Sequence, residues 1–302
     1  MSGDIRELVV ISGKGGTGKT SVAASFAVLA AGRVVIADCD VDAADLHLVL
    51  APKIIESADF KSGREAVIRR ETCTGCGLCS ELCRFGAPRA VKRPHGKPLY
   101  AIDPVACEGC GVCVRFCPAG ALAFPERLCG EWMVSETRCG PMVHACLSVA
   151  AENSGKLVAT VRREARRIAE EKGLPLLVTD GPPGIGCPVI ASVTGASQVL
   201  VVTEPTVTGE HDLERVLSLT RHFGVPVAVC VNKWDINSEM TERIEKKATE
   251  AGARVAGRIR YDRAVTAAQI QAKAVVEIDA PSAADIRSVW ENLKLDTEKE
   301  NA

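Results

Sequence analysis

The stretch Ile5–Ser12 carries the continuous apolar run Leu8–Ile11, then gives way to a glycine-rich turn and to Ala23–Ala31, where small apolar residues dominate. A short apolar run bounded by turn residues predicts a strand buried on both faces, and the segment after it predicts a helix. Arg33–Asp38 reads as a second strand, so the chain opens β-α-β. The pattern breaks near residue 60 and resumes after about residue 130, with a strand predicted over Glu131–Glu136. From Lys156 to Lys172, Leu157, Val161, Ala165 and Ile168 recur at helical spacing while Arg162, Arg163, Arg166 and Arg167 take the other side, and Gly173 supplies a stop. Further strands are predicted over Pro175–Thr179, Gln198–Thr203, Pro226–Val231 and Ala253–Ile259, with helices over 209–223, 239–251 and 282–294.

Strands that alternate with helices predict a parallel sheet covered on both faces, because right-handed crossovers place helices above and below it. The runs LLVTD, VLVVT and VAVCV agree, since a strand buried on both sides needs continuous apolar residues instead of alternation. The expected fold is α/β, a doubly wound, mostly parallel sheet built from residues 1–60 and 130–302 and interrupted by an inserted segment, 61–129. The internal repeat lies in that insertion, where a cysteine pattern recurs after 34 residues, far too few copies for a solenoid.

Of 302 residues, 47% are apolar, 25% charged and only 4% aromatic, so the core must be mostly Val, Ala, Leu and Ile. A net charge of −1 argues against broad electrostatic capture of nucleic acid, and no nucleic-acid partner is expected. Leu8–Ile11 is too short for the core of a secretory signal, and no stretch reaches the roughly 18 apolar residues of a spanning helix. The ending LDTEKENA is acidic and polar, unlike an amphipathic membrane helix, so the expectation is a cytoplasmic protein without a membrane partner. Fourteen cysteines are unusual in such a chain, and eight of them fall within Cys73–Cys117, a clustering that points to metal and not to a disulfide scaffold.

Gly13-Lys14-Gly15-Gly16-Thr17-Gly18-Lys19-Thr20 lies between the first strand and the first helix, the setting a P-loop requires. Its glycines let successive N–H groups turn toward phosphate oxygens, and the helix start, where Ser21 follows, adds its positive end. Lys19 is expected to neutralise β/γ charge and Thr20 to ligate Mg2+. Asp38-Cys39-Asp40 ends the second strand, where carboxylates can hold metal-bound water or orient an attacking one, and Asp180 follows the strand LLVT. A lone Asp at a strand end is a turn or cap residue; two such sites beside a P-loop point to metal and phosphate.

Cys73, Cys76, Cys79 and Cys83 form one CxxCxxCxxxC run, and Cys107, Cys110, Cys113 and Cys117 form another, the spacing of bacterial ferredoxins. In that pattern the fourth cysteine serves the other cluster. Cys73, Cys76, Cys79 and Cys117 are therefore expected on one [4Fe–4S] cluster, and Cys107, Cys110, Cys113 and Cys83 on the second. Zinc also takes CxxC pairs, but not with this duplicated spacing. Cys83 is followed by Arg84 where Cys117 is followed by Pro118, a departure that puts a cation beside the second cluster. Between the runs, Arg89–Lys97 is a basic loop able to steer an acidic redox protein, or simply a solvated hairpin tip.

KGGTGKT, DGPPG and NKWD together resemble the deviant Walker A ATPases of the MinD/ParA type, the SIMIBI class that also holds the nitrogenase iron protein. The cysteine runs extend the resemblance to the subgroup with an inserted α+β ferredoxin domain, some members of which belong to the orange-protein complex of anaerobes. The resemblance implies a slow, partner-stimulated hydrolysis of ATP to ADP and phosphate by an ATP-dependent homodimer or related heterodimer. It implies that Lys14 reaches the partner's nucleotide, that Asp40 activates water, and that Asp180 stands in the outer shell of Mg2+. Asn232, Lys233 and Asp235 fall where the class recognises the base; NKxD is also the guanine-reading pattern of GTPases, whereas Lys14 favours ATP.

Three function classes follow: a nucleotide-gated switch coupling ATP to electron transfer with a redox protein partner, a metal-cluster carrier or maturation ATPase, and a positioning ATPase like MinD. Outside the ferredoxin runs, Cys39 and Cys230 read as packing residues. By resemblance to the nitrogenase iron protein, Cys187 after DGPPG is a candidate for linking nucleotide state to redox chemistry, with Cys139 or Cys146 as the second ligand it would need.

Overall fold

The computed structural model describes residues 5–92, 98–148 and 153–295; the Arg93–Lys97 part of the basic loop and the polar ending beyond Leu295 lie outside the described residues. The chain opens with β1 (Arg6–Ser12), α1 (Lys19–Leu29), β2 (Val34–Asp38), α2 (Leu46–Leu50) and the long β3 (Lys53–Arg64). Short elements follow, namely β4 (Val67–Ile68), α3 (Leu78–Leu82), β5 (Pro88–Val91), β6 (Leu99–Ile102), α4 (Val112–Arg115) and β7 (Leu122–Ala123). Then come β8 (Glu126–Glu136), β9 (Pro141–Leu147), α5 (Ser154–Lys172), β10 (Leu176–Pro183), α6 (Cys187–Val193), β11 (Gln198–Thr203) and α7 (Val207–His222). The last elements are β12 (Val227–Asn232), α8 (Ser238–Glu250), β13 (Arg254–Ile259), α9 (Ala264–Ile270) and α10 (Pro281–Leu293).

Nine strands among the described residues share one sheet, in the order β13-β12-β11-β1-β10-β2-β9-β8-β3. From β13 to β9 every adjacent pair is parallel. The apolar runs explain why. Along β1, Leu8 and Val10 enter the core on one face with α1 and α10, while Val9 and Ile11 enter the core on the other with α6, α7 and α8. β11 and β12 divide in the same way, Leu200, Val202, Ala228 and Cys230 to one face and Val199, Val201, Val229 and Val231 to the other. Each such side chain stabilises the fold by about 1.5–3 kcal/mol on burial, which only an unbroken apolar run can supply on both faces.

The sheet is larger than the sequence pattern predicts. β3 extends past the expected break near residue 60, and β9 carries no predicted strand. β3 sits at the sheet edge with most of its residues exposed, so it has no need of the apolar pattern that betrays a central strand. Among the described residues no helix is long and apolar enough to cross a membrane.

The described residues divide into two compact units, one within Met1–Ala58, Trp132–Cys146 and Ser154–Ala302, the other within Asp59–Glu131 and Leu147–Asn153. The second unit holds two antiparallel pairs, β4 with β7 and β5 with β6. Its backbone repeats as its cysteines do. Gly75, Gly77 and Gly86 hold positive φ, and so do Gly109, Gly111 and Gly120, each 34 residues further on. Gly77 and Gly111 each open a short helix, α3 and α4, from that left-handed conformation, which a side chain would strain.

Candidate nucleotide site and cysteine pockets

The sheet order brings the carboxyl ends of β2, β10, β1, β11 and β12 side by side, the edge at which open α/β sheets bind ligands. Gly13–Thr20 connects β1 to α1 there. Gly18 has φ +91°, and a Cβ on it would stand 2.4 Å from Nδ2 of Asn232, so both backbone and space require glycine. Gly13 is equally confined, its missing Cβ falling 2.3 Å from Cβ of Asp212 on α7. A cleft of about 650 Å3 opens above the loop, lined by Gly15–Val22, by Asp40, by Asn232 and Lys233, and by Tyr261 and Gln269.

Lys19 is buried, and its ammonium donates to Oδ2 of Asp40 at 3.2 Å. Burial alone would lower its pKa; the carboxylates of Asp180, Asp40 and Asp38 outweigh that and raise it. Burial likewise lifts Asp38 well above the usual carboxylate range, with the charge of Asp180 adding to it, while N–H groups of Asp40 and Leu46 donate to its two oxygens. Burial raises Asp40 too, against the pull of Lys19. Asp180 is fully buried and no well-formed hydrogen bond reaches either carboxylate oxygen; burial pushes it up to about 6, against the opposing charge of Lys19 and the pull of the nearby Thr20 hydroxyl. The Thr17 hydroxyl is also buried without a partner. Unpartnered buried oxygens of this kind fit a ligand that brings its own donors.

Lys14, partly exposed, is held by its own chain. Its ammonium lies 3.3 Å from Oε2 of Glu204 and donates to Oγ1 of Thr208 at 3.3 Å. The Lys233 ammonium donates to the other oxygen of Glu204 and to the Gly16 carbonyl at 3.3 Å. Asn232 donates its side-chain amide to the Thr17 carbonyl at 2.7 Å, so it braces the loop. Asp235 accepts the Tyr261 N–H at 2.7 Å on Oδ1. Ser21 accepts from the Gln269 amide at 3.0 Å. Glu204, Thr208, Asp212, Tyr261 and Gln269 carried no motif signal; the adjacency of β1, β11 and β12 gives the first three their place.

All fourteen cysteines are free. In the second unit one pocket is lined by Cys73, Cys76, Cys79 and Cys117, another by Cys83, Cys107, Cys110 and Cys113, so each takes three thiols from one run and the last from the other. The Ala121 N–H points at Sγ of Cys117, 3.3 Å away. Among the described residues no group of three or more His, Cys, Asp or Glu is gathered closely enough to hold a single metal ion. Outside the runs, Cys39, Cys129, Cys139 and Cys230 are buried, whereas Cys146 and Cys187 are exposed. Cys187 opens α6 and packs beside Gly155 at the start of α5.

Residues 8–275 match the family described as the CobQ/CobB/MinD/ParA nucleotide binding domain. The uncharacterized protein MJ0578 of Methanocaldococcus jannaschii is 34% identical over 239 residues, covering 78% of this chain and 81% of that one. Among solved structures, the cell division ATPase MinD of Pyrococcus furiosus superposes with a TM-score of 0.58 at 15% identity, over 97% of this chain and 99% of that one. MinD of Pyrococcus horikoshii, solved with Mg-ADP, gives 0.58 at 14% identity over 96% of each chain. An ATP complex of Cyanothece McdA gives 0.57 at 15% identity over 98% and 99%. These likenesses show a MinD-like α/β fold; nothing in them points to iron–sulfur clusters or electron transfer.

Proposed function

The chain belongs to the CobQ/CobB/MinD/ParA nucleotide-binding family, and from that premise we propose that it is a Mg2+-dependent ATPase acting as a nucleotide-gated dimeric switch. The observation that carries this reading is the fully buried carboxylate of Asp180, left without a well-formed hydrogen bond and acting by its charge on Lys19 of the P-loop. Thr20 would hold Mg2+ directly, with Asp180 and Asp38 reaching it through water; the bound ion supplies charge neutralisation at the β and γ phosphates. Gly13–Thr20 cradle the phosphates through N–H groups, and Lys19 leaves Asp40 for them, which frees Asp40 to orient water. Lys14 crosses to the nucleotide of a second copy. ATP is favoured over GTP because an oxygen of Asp235, the group that would read a guanine edge, already accepts the Tyr261 N–H. Phosphate release by the wild type and by Lys19→Ala, with ATP and with GTP, tests the reading; equal rates for the two proteins would sink it.

Of the three function classes, the comparisons support the positioning ATPase like MinD better than the electron-transfer switch. A finer proposal for the second unit rests on the cysteines alone: it is a ferredoxin domain with two [4Fe–4S] clusters, so that the switch acts on a redox protein. The support is the sorting of eight thiols into two pockets in the crossed pattern of the ferredoxin runs, together with an N–H directed at sulfur. Clusters bound there would supply one-electron transfer at low potential.

A further inference from the structure

We propose that the two cysteine pockets of the second unit are unequal toward electrons, and that Tyr100 makes the first of them, lined by Cys73, Cys76, Cys79 and Cys117, the place where an electron comes to rest; this rests on the ferredoxin reading given above. The internal repeat supplies the comparison. Most residues lining the first pocket have a counterpart in the second after a shift of 34 residues, in one direction or the other. The cysteines coincide under that shift, and their surroundings do not.

Each difference favours added negative charge at the first pocket. The Ala121 N–H points at Sγ of Cys117, 3.3 Å away, whereas among the described residues no donor meets Sγ of Cys83, its counterpart. Gly77 and Gly111 open α3 and α4 from the same left-handed turn, and an aromatic residue covers each. Over Gly77 it is the Tyr100 hydroxyl, 3.0 Å from where a Cβ would stand; over Gly111 it is the bare ring edge of Phe124, at 3.2 Å. The Tyr100 hydroxyl has no hydrogen-bond partner among the described residues, so it is free to donate to sulfur in the pocket it lines. In the second pocket Ala66 stands at the matching place and offers no donor. Thr74 of the first pocket likewise corresponds to Glu108 of the second, a hydroxyl against a carboxylate. Hydrogen bonds to sulfur and nearby charge set cluster potentials: donors stabilise the more negative, reduced form, and a carboxylate opposes it.

The arginines do not reverse this order. Arg69 donates to the Gly120 carbonyl at 3.4 Å beside the first pocket, and the Arg64 carbonyl lies against Gly109 of the second, so each pocket has one at hand. Arg84, which follows Cys83 where Pro118 follows Cys117, favours the second pocket. It is exposed, as Glu108 is, so solvent and salt weaken both charges and each offsets the other. The hydrogen-bond donors decide. One electron passing from a reduced second cluster to an oxidised first one then runs downhill, with no bond made or broken. Tyr100 is a positioning residue that sets this order through its hydroxyl and takes no part in the transfer itself.

The test is the order in which the two sites accept electrons from dithionite, followed by electron-spin resonance on the full chain purified without oxygen. The signal that Cys76→Ser perturbs should grow in before the one that Cys110→Ser perturbs. Tyr100→Phe keeps the ring over Gly77 and removes only the hydroxyl. At partial reduction it should shift the ratio of the two signals about three- to tenfold toward the second site, the worth of one hydrogen bond, with iron content unchanged. A merely structural role would leave that ratio where it was. Glu108→Gln should raise the second site instead and narrow the gap, more at low salt than at high, and it serves if Tyr100→Phe fails to assemble. If the second signal grows in first, or if neither variant moves the ratio, the ranking is wrong and the ferredoxin reading stands on its iron and its two signals. A chain that holds no iron overturns that reading and takes the ranking with it.

Discussion

Asn232 gives its side-chain amide to the main-chain carbonyl of Thr17 at 2.7 Å, and thereby joins the end of β12 to the P-loop two strands away. The same amide nitrogen occupies the space a Cβ on Gly18 would need, so one contact sets the shape of the loop from both sides. Asn232→Ala should weaken ATP binding about tenfold by releasing that carbonyl, with little change in melting temperature. Gly18→Ala should be worse, because it meets both a φ of +91° and the amide, and should leave no binding measurable by titration calorimetry.

The second unit makes a prediction about pairing between runs. Protein purified without oxygen should be brown and hold about eight iron and eight labile sulfide per chain. Cys117→Ser and Cys76→Ser share a pocket and should perturb the same electron-spin resonance signal, whereas Cys110→Ser should perturb the other. If Cys117→Ser and Cys110→Ser instead deplete one common signal, the crossed assignment is wrong. Zinc in place of iron would remove the clusters altogether.

His144 gives a pH dependence independent of nucleotide. It is buried on β9, and Oγ of Ser135 on β8 lies 2.8 Å from its Nε2. Burial lowers its pKa below the ordinary 6.5, with the nearby His47 adding to the shift. The folded state therefore favours the neutral ring. Its contribution is complete above pH 6.5 and is lost as pH falls through the ordinary value toward the depressed one. The urea midpoint of the wild type should drop between pH 7.5 and 5.5, and His144→Gln should flatten that drop; parallel curves for the two proteins would refute the assignment.

How much of this was legible depends on whether a residue acts within its own segment or through its neighbours. The P-loop glycines, Lys19 and the strands β1, β11 and β12 announce themselves because each local run must satisfy phosphate contact or two-sided burial by itself. Asp38 was readable as a strand-end acid; Asp180 was expected just past its strand, but β10 runs on to Pro183 and takes Asp180 inside it, where burial leaves its oxygens without a well-formed hydrogen bond. β3 escaped notice because an exposed edge strand imposes no apolar pattern. Glu204 escaped for a different reason: an acid after a strand resembles any turn residue until the sheet order sets Lys14 and Lys233 beside it. Asn232 was legible as a site residue but not in its bracing role, since the sequence does not show that its amide is already spent on Thr17.

Asp180 offers the sharpest separation of stability from function. Its carboxylate is fully buried with no well-formed hydrogen bond on either oxygen and only the Thr20 hydroxyl and the Lys19 charge to ease it, an arrangement that costs about 1–3 kcal/mol and that a fold has no reason to keep for its own sake. Lys19 offsets part of that cost, but its ammonium is already bonded to Asp40. Asp180→Asn removes the charge at constant shape, so the nucleotide-free protein should become more stable, by about 2–4 °C in melting temperature for each kcal/mol recovered. The same change takes away the group proposed to hold Mg2+-bound water, so Mg2+-dependent hydrolysis should fall by at least about a hundredfold while ATP still binds through Lys19 and the loop. Differential scanning calorimetry without nucleotide, set beside single-turnover hydrolysis with Mg2+, reads both effects on one variant. A melting temperature that falls would mean that Asp180 is satisfied inside the apo fold, and its role as a waiting ligand for the metal shell would then be lost.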